Sequence, residues 1–212
     1  MYIPPAFNES DPEKIFAFIR ENSFGTLVTT LDGALTGSHI PFLVEPQNGP
    51  QGALVGHLAR ANPQSRSLVN KGGAGLAIFT GPHAYISPTW YQNDKAVPTW
   101  NYTSVHATGT FEPVEDEAGL RAILQATVAV YEASQPQPWS MQAASDEFIS
   151  GLLKHIIGFR LIITKLEGKW KLNQNRAAEE QSRVVSELMK SRDVNARALG
   201  ELMRKNLEAA RK

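Results

Sequence analysis

Apolar residues recur first at helical spacing. Ile15, Phe16 and Ile19 follow Ser10-Asp11-Pro12-Glu13, a capping-box pattern with proline near the first helical position, where no N–H is needed. The pattern then shortens to strands divided by turn residues. Residues 24–31 predict a strand rich in Thr and Val, ending at Asp32-Gly33, a hairpin signal. Residues 34–44 predict a second strand, interrupted by Pro41 as at an edge or bulge, and residues 53–59 a third. Asn62-Pro63 opens a short helix with Leu68 and Val69 on one face. Residues 75–80 predict a fourth strand and residues 84–87 extended chain before Pro88. Residues 99–114 form a long β-type run in which Thr103, Val105, Ala107 and Gly109 alternate against Ser104, His106 and Thr108. Asp116 caps an amphipathic helix carrying Leu120, Ile123, Leu124, Val128 and Tyr131. Ser145 caps another, carrying Phe148, Ile149, Leu152, Leu153 and Ile156. Residues 159–166 and, after a turn at Gly168, residues 169–172 complete the sheet, and the chain is helical from Ala177.

Strands joined by tight turns are antiparallel, and the βαβ alternation of a doubly wound sheet is missing. The expected fold is α+β and mainly β, a small barrel of about six antiparallel strands with flanking helices and a helical C-terminal tail. The expected division is residues 1–176 for the barrel and 177–212 for a helical extension packed on the barrel or on a dimer.

Composition narrows the function classes. Twenty-one basic residues balance 21 acidic ones, which argues against nucleic-acid binding through a general basic field. The tail from Ala177 carries eight basic and six acidic residues, a net of only +2, with an apolar seam of Val185, Leu188, Met189, Leu199, Leu202 and Met203. No cysteine is present, so thiol nucleophiles, disulfides and cysteine metal sites are excluded. No apolar run approaches the ~18 residues of a spanning helix, and the start shows no signal-peptide pattern. A soluble, cytoplasmic protein is expected.

Three segments could carry chemistry. Arg60, Asn62, Gln64 and Arg66 lie where a strand runs into a helix, and free N–H groups with two guanidiniums suit a phosphate dianion. A plain N-cap with two solvated arginines accounts for the same residues. In Pro98-Thr99-Trp100-Asn101-Tyr102, two rings flank an amide, a set suited to a planar heteroaromatic ligand or to ordinary cross-strand packing. Lys169-Trp170-Lys171-Leu172-Asn173-Gln174-Asn175-Arg176 ends a strand with dense hydrogen-bonding capacity, as for a polar ligand or an exposed turn. His39, His57, His83, His106 and His155 show no zinc-like spacing, there is no GxSxG elbow, and Gly72-Gly73-Ala74-Gly75 leads into a strand rather than a helix, so it is no dinucleotide fingerprint.

Taken together and in order, Ser38-His39-Ile40-Pro41, Gly56-His57, Asn62-Pro63-Gln64, Gly81-Pro82-His83-Ala84-Tyr85-Ile86-Ser87, Trp90-Tyr91, Val97-Pro98-Thr99-Trp100-Asn101-Tyr102, Val105-His106 and Lys171-Leu172-Asn173-Gln174-Asn175-Arg176 resemble the PaiB family of FMN-binding negative transcriptional regulators. The resemblance implies an FMN-binding split barrel, similar to the pyridoxamine-phosphate oxidase superfamily, forming a homodimer with FMN at the subunit interface. It implies that the phosphate sits at Arg60, Asn62, Gln64 and Arg66. It also implies that Trp100, Asn101, Tyr102, Lys171, Gln174 and Asn175 approach the isoalloxazine or ribityl chain. Ser65 stands where the family pattern has Trp, and Asn173 where it has Ser. The family's regulatory effect concerns sporulation and protease-type genes, and it is consistent with a flavin-dependent sensor rather than a DNA-gripping repressor. An FMN-dependent oxidoreductase acting on a small molecule, or a haem-binding split barrel using His39, His57 or His106, are the alternatives.

Overall fold

The computed structural model of the chain describes residues 1–69 and 73–210. Gly72 of the glycine-rich segment and Arg211 and Lys212 of the tail lie outside the described residues. In chain order the elements are β1 (Asn8–Glu9), α1 (Pro12–Glu21), β2 (Phe24–Leu31), β3 (Ala34–Pro41), β4 (Leu43–Glu45), β5 (Ala53–Ala59), α2 (Ser65–Val69), β6 (Ala74–Ile86), β7 (Thr99–Val114), α3 (Glu117–Glu132), α4 (Asp146–Leu153), β8 (Ile156–Lys171), α5 (Ala178–Lys190) and α6 (Val194–Ala209). The strands make an antiparallel sheet in the order β3-β2-β6-β7-β8-β5-β4, with β1 pairing on β8. The chain divides into two compact units, one comprising Met1–Phe18, Thr80–Val105 and Glu167–Lys212, the other Ile19–Phe79 and His106–Leu166. The long strands β6, β7 and β8 contribute residues to both.

The unit containing Ile19–Phe79 and His106–Leu166 is built on aromatic rings set against glycines. Phe42 packs edge-on to Phe79 at 5.3 Å and to Phe159 at 6.2 Å, and Phe111 meets Phe159 at 5.5 Å. Each of three rings occupies the space a neighbouring glycine leaves open. A Cβ at Gly75 would fall 2.3 Å from Phe111, at Gly25 2.7 Å from Phe79, and at Gly56 3.0 Å from Phe159. The sheet thereby curls, and its outer strands meet. A Cβ at Gly56 on β5 would sit 3.4 Å from Ile40 on β3, and the Asn62 amide beyond β5 donates to Ser38 Oγ on β3 at 2.9 Å.

Local chemistry sets the rest of this unit. Asp32 (φ 51°) and Gly33 (φ 80°) make the two-residue turn that joins β2 to β3, with Leu31 opposite Ala34. Both central residues have positive φ, so the turn's twist matches that of the strands. Asp116 and Ser145 cap α3 and α4 by accepting from the N–H groups of Gly119 (2.8 Å) and Phe148 (3.3 Å). The inner faces of these helices join Leu120, Ile149 and Leu153 in one cluster, while Ile123 packs with Val55 and Val114.

In the other unit, α5 and α6 form a helical hairpin. It places Val184, Leu188, Leu199 and Met203 against Ala84, Ile86, Tyr91 and Leu172. Of the expected apolar seam, Leu188, Leu199 and Met203 are core and Val185 and Leu202 pack at its edge, whereas Met189 is exposed and Val184 takes a buried place. The Arg183 guanidinium clamps the hairpin by donating twice to the Tyr91 carbonyl, at 2.8 and 3.1 Å.

Several local expectations shift. Asp11, not Ser10, caps α1, its Oδ1 accepting from the Glu13 N–H at 3.0 Å. Of the strands beyond the expected six, the two-residue β1 is too short to leave a pattern, while the three-residue β4 is the end of the expected 34–44 strand, separated from β3 after Pro41. Ile156 begins β8 rather than ending α4, because its pairing opposite Ala59 outweighs helical continuation. Gly168 is no turn: it lies within β8 opposite Glu9, where a Cβ would stand 2.7 Å from Trp170 and 2.9 Å from the Glu9 carbonyl.

Two glycine substitutions should move stability in opposite directions. Gly75→Ala drives a methyl into Phe111, which is 1% exposed and cannot retreat, so a loss of about 1–3 kcal/mol is expected. Gly151→Ala, on an open face of α4, should gain about 0.5–1 kcal/mol from helix propensity. Urea titration of both variants measures the pair. Burial also lowers the pKa of His57 on β5. The unfolded state then binds the proton more readily, so stability is lost as pH falls below about 6.5 toward the lowered folded value. His57→Gln should flatten this acid-side slope in thermal melts between about pH 7 and 5.

Candidate functional site

The candidate residues fall in two segments, one in each unit. In the unit containing Ile19–Phe79, the chain leaves β5 through an Asx turn: Asn62 Oδ1 accepts from the Gln64 N–H at 3.0 Å. Gln64 is completely buried, and its amide nitrogen donates to Leu27 O (3.1 Å), Thr29 Oγ1 (3.1 Å) and Thr36 O (3.2 Å). It thus staples the entry of α2 onto β2 and β3, and its Oε1 has no partner among the described residues. Arg60 and Arg66 instead lie at the surface. Each meets one carboxylate, Glu115 at 3.2 Å and Asp32 at 3.0 Å. Exposed pairs of this kind contribute only about 0–1 kcal/mol, so either guanidinium can turn to a better anion at small cost. A phosphate dianion, which accepts paired N–H donors, is such an anion.

In the unit containing Thr80–Val105, Trp100 and Tyr102 share one face of β7 and Asn101 the other. Trp100 is 55% exposed, with its ring 6.1 Å from Tyr85 and 6.4 Å from His83. The three rings form one wall of a cleft of about 550 Å³, closed on another side by Trp90, Glu187 and Asn195. The Asn195 side-chain oxygen accepts the His83 backbone N–H at 3.3 Å, holding the start of α6 against β6. Asn101 is fully buried. Its amide nitrogen faces Met203 Sδ at 3.5 Å, and its Oδ1 has no partner among the described residues.

Beyond β8 the chain turns through Asn173, whose φ of 65° is left-handed. Tyr91 donates its hydroxyl to Asn173 Oδ1 at 3.2 Å, and the Arg176 guanidinium lies 4.8 Å from the centre of the Tyr91 ring. Burial raises the Tyr91 pKa, so this phenol stays a donor. Gln174 braces the turn internally, accepting from Leu172 N (2.8 Å) and donating to Trp170 O (2.6 Å), while Asn175 is exposed. Lys171 donates to Thr99 Oγ1 and to the Trp100 carbonyl (2.8 Å), and burial followed by the charge of Lys169 lowers its pKa.

Lys169 opens the third candidate segment but was given no flavin contact, and its surroundings are unusual. It is 7% exposed, donates to the Tyr2 carbonyl at 3.1 Å, and lies 5.0 and 5.8 Å from the ring centres of Tyr102 and Tyr2. Cation–π contacts contribute roughly 0.5–2 kcal/mol each, short of the several kcal/mol that removing an ammonium from water costs. The period-two spacing of Lys169 and Lys171 in an apolar strand was the available signal. Among the described residues no His/Asp/Glu cluster is arranged to hold a metal, and no helix is long and apolar enough to cross a membrane.

The fold and the matching family together define the class of the chain as the flavin-binding split barrels. The donor chemistry fits FMN, with exposed guanidiniums for its phosphate and an exposed indole for its ring. The family described as "Putative FMN-binding domain" (FMN_bind_2) matches residues 1–165, and the chain belongs to it. It is an FMN-binding split-barrel protein. Over 208 residues it is 35% identical to "Protease synthase and sporulation protein PAI 2" of Bacillus subtilis (strain 168), covering 98% of this chain and 99% of that one. Its fold is similar to that of the FAD and Heme binding protein from Mycobacterium smegmatis (TM-score 0.57, 16% identity, 82% of this chain and 78% of that one). It is also similar to the flavocytochrome Anf3 from Azotobacter vinelandii (TM-score 0.58, 15% identity, 77% and 69%).

Gln64→Leu should cost about 2–4 kcal/mol, because the buried acceptors of Leu27 and Thr29 and the half-buried Thr36 carbonyl lose one shared amide group. Chemical denaturation measures the loss. In the same variant, amide exchange at residues 62–66 should quicken more than in α3.

Proposed function

We propose that this protein is a regulator of the PAI 2 type: a cytoplasmic homodimer that binds FMN at its subunit interface and acts as a flavin-dependent sensor. The observation that carries the reading is the 35% identity to PAI 2 over nearly the full length of both chains. The regulated processes, sporulation and protease synthesis, come from that relative's name. Arg60, Asn62 and Arg66 are assigned to the phosphate, with Gln64 holding their backbone in place. Trp100, Asn101 and Tyr102, with the turn at Gln174 and Asn175, are assigned to the isoalloxazine or ribityl chain. When bound, FMN supplies reversible electron uptake, which a chain without cysteine cannot obtain from thiols.

The surface chemistry of the tail favours a sensor over a DNA-gripping repressor. Arg204 lies between Glu201 (2.5 Å) and Glu208 (2.6 Å), and Lys190 pairs with Glu187 at 2.7 Å. Arg183 and Arg197 donate to the Tyr91 and Ser191 carbonyls. Counter-ion release, the main source of affinity for a phosphate backbone, needs cations that are not already neutralised.

Titration with FMN followed by gel filtration should leave flavin on a species of twice the 23.3 kDa chain mass. The double variant Arg60→Ala/Arg66→Ala should weaken FMN at least tenfold and leave riboflavin, which has no phosphate, unchanged. Equal FMN affinity in that variant would remove the phosphate assignment. Mobility-shift assays at low salt should show no sequence-specific DNA complex, and a specific shift would overturn the sensor reading.

A further inference from the structure

Lys169 and Lys171 alternate on β8 and project to one face of the strand. Among the described residues no carboxylate pairs with either. Glu167, the acid on the same side of β8, is held by the Met1 ammonium at 2.9 Å. Every group that the two lysines do contact is neutral: the Tyr2 and Trp100 carbonyls, the Thr99 hydroxyl, and the rings of Tyr2 and Tyr102. An ammonium carries three N–H donors. Lys169 uses one and Lys171 two, so three donors remain between them. The arginines at the proposed phosphate site differ in kind, since each already meets an acid at the surface.

We propose that Lys169 and Lys171, with Thr99 beside them, form a binding site for a small oxyanion-bearing molecule, a carboxylate or phosphate distinct from the flavin. A buried cation without a counter-charge is costly, and a bound anion offsets that cost. Lys169 is 7% exposed, which shuts out a polymer backbone or a membrane surface and leaves a compact anion as the ligand class. Burial first, and then the charge of Lys169, lower the Lys171 pKa, and a bound anion opposes both. Lys171, which the resemblance sets among the flavin's contacts, is assigned in this proposal to the anion instead. The proposal does not rest on the regulatory reading.

The test is calorimetric titration of the full chain with inorganic phosphate and with acetate, in parallel on the flavin-free, riboflavin-loaded and FMN-loaded protein. At least one probe should bind saturably in all three forms. Lys169→Gln/Lys171→Gln should weaken it at least tenfold, whereas Lys171→Arg, which keeps the charge, should stay within threefold. Should the double variant fail to fold, NMR of the ¹³C-methylated lysines of the otherwise unaltered protein decides. Saturating anion should move the Lys171 titration to higher pH. No saturable binding, unchanged binding in the glutamine variant, or an unmoved Lys171 titration would overturn the proposal. So would loss of anion binding in the FMN-loaded form alone, since the flavin phosphate would then be the occupant. Visible absorbance of the same samples reports flavin retention separately, so a protein that binds the anions but no flavin would sink the cofactor assignment and leave this site standing.

Discussion

The packing of phenylalanine rings onto glycines is the constraint on which the barrel unit depends. Phe79, Phe111 and Phe159 are buried at 0–1% exposure, and each lies in space that a Cβ on Gly25, Gly75 or Gly56 would occupy. Glycine in a strand weakens it locally, but a neighbouring ring that covers the bare backbone recovers apolar contact and lets the sheet bend. That bend brings β5 toward β3, where Asn62 reaches Ser38. The Asx turn that presents Arg60 and Arg66 therefore follows from the curvature of the sheet, not from the helix that comes after it.

The second unit solves a different problem. Its strands carry polar and aromatic residues outward, and the helical hairpin of α5 and α6 supplies the apolar cover that Ile86, Tyr91 and Leu172 need. The hairpin also buries polar atoms in half-satisfied positions. Asn101 Oδ1 and Asn173 Nδ2 have no partners among the described residues, and Asn173 holds a left-handed backbone. Buried polar groups left unpaired are costly, and they concentrate where a structure gives up stability for recognition. The unpaired lysines on β8 belong to the same unit and carry the same cost in charge.

Charge balance over the whole chain conceals this local asymmetry. Equal numbers of acidic and basic residues leave no general field to attract a polyanion, and Arg183, Lys190, Arg197 and Arg204 of the tail are occupied by acids or carbonyls. Lys169 and Lys171 instead carry positive charge in a buried setting with no carboxylate beside it among the described residues, where it selects small anions. Net charge describes long-range attraction; burial and pairing decide what a particular site holds.

Much of the fold was legible from residue pattern. The hairpin at Asp32-Gly33, the span of β7, and the caps at Asp116 and Ser145 depend on turn chemistry and periodicity that act over a few residues. The resemblance on Val97 to Tyr102 and Lys171 to Arg176 carried the flavin assignment, which spacing alone left open. What sequence could not decide were contacts between distant segments. Gly168 reads as a turn until Glu9 lies opposite it, and Ile156 as helix until Ala59 pairs with it. Gln64 shows the same limit, since only the approach of Leu27, Thr29 and Thr36 makes it a buried staple. Lys169 and Tyr102 are 67 positions apart in the chain and 5.0 Å from ammonium to ring centre in the fold. Local propensity wrote the elements into the sequence; burial, and with it the missing counter-charge, exists only once the strands have met.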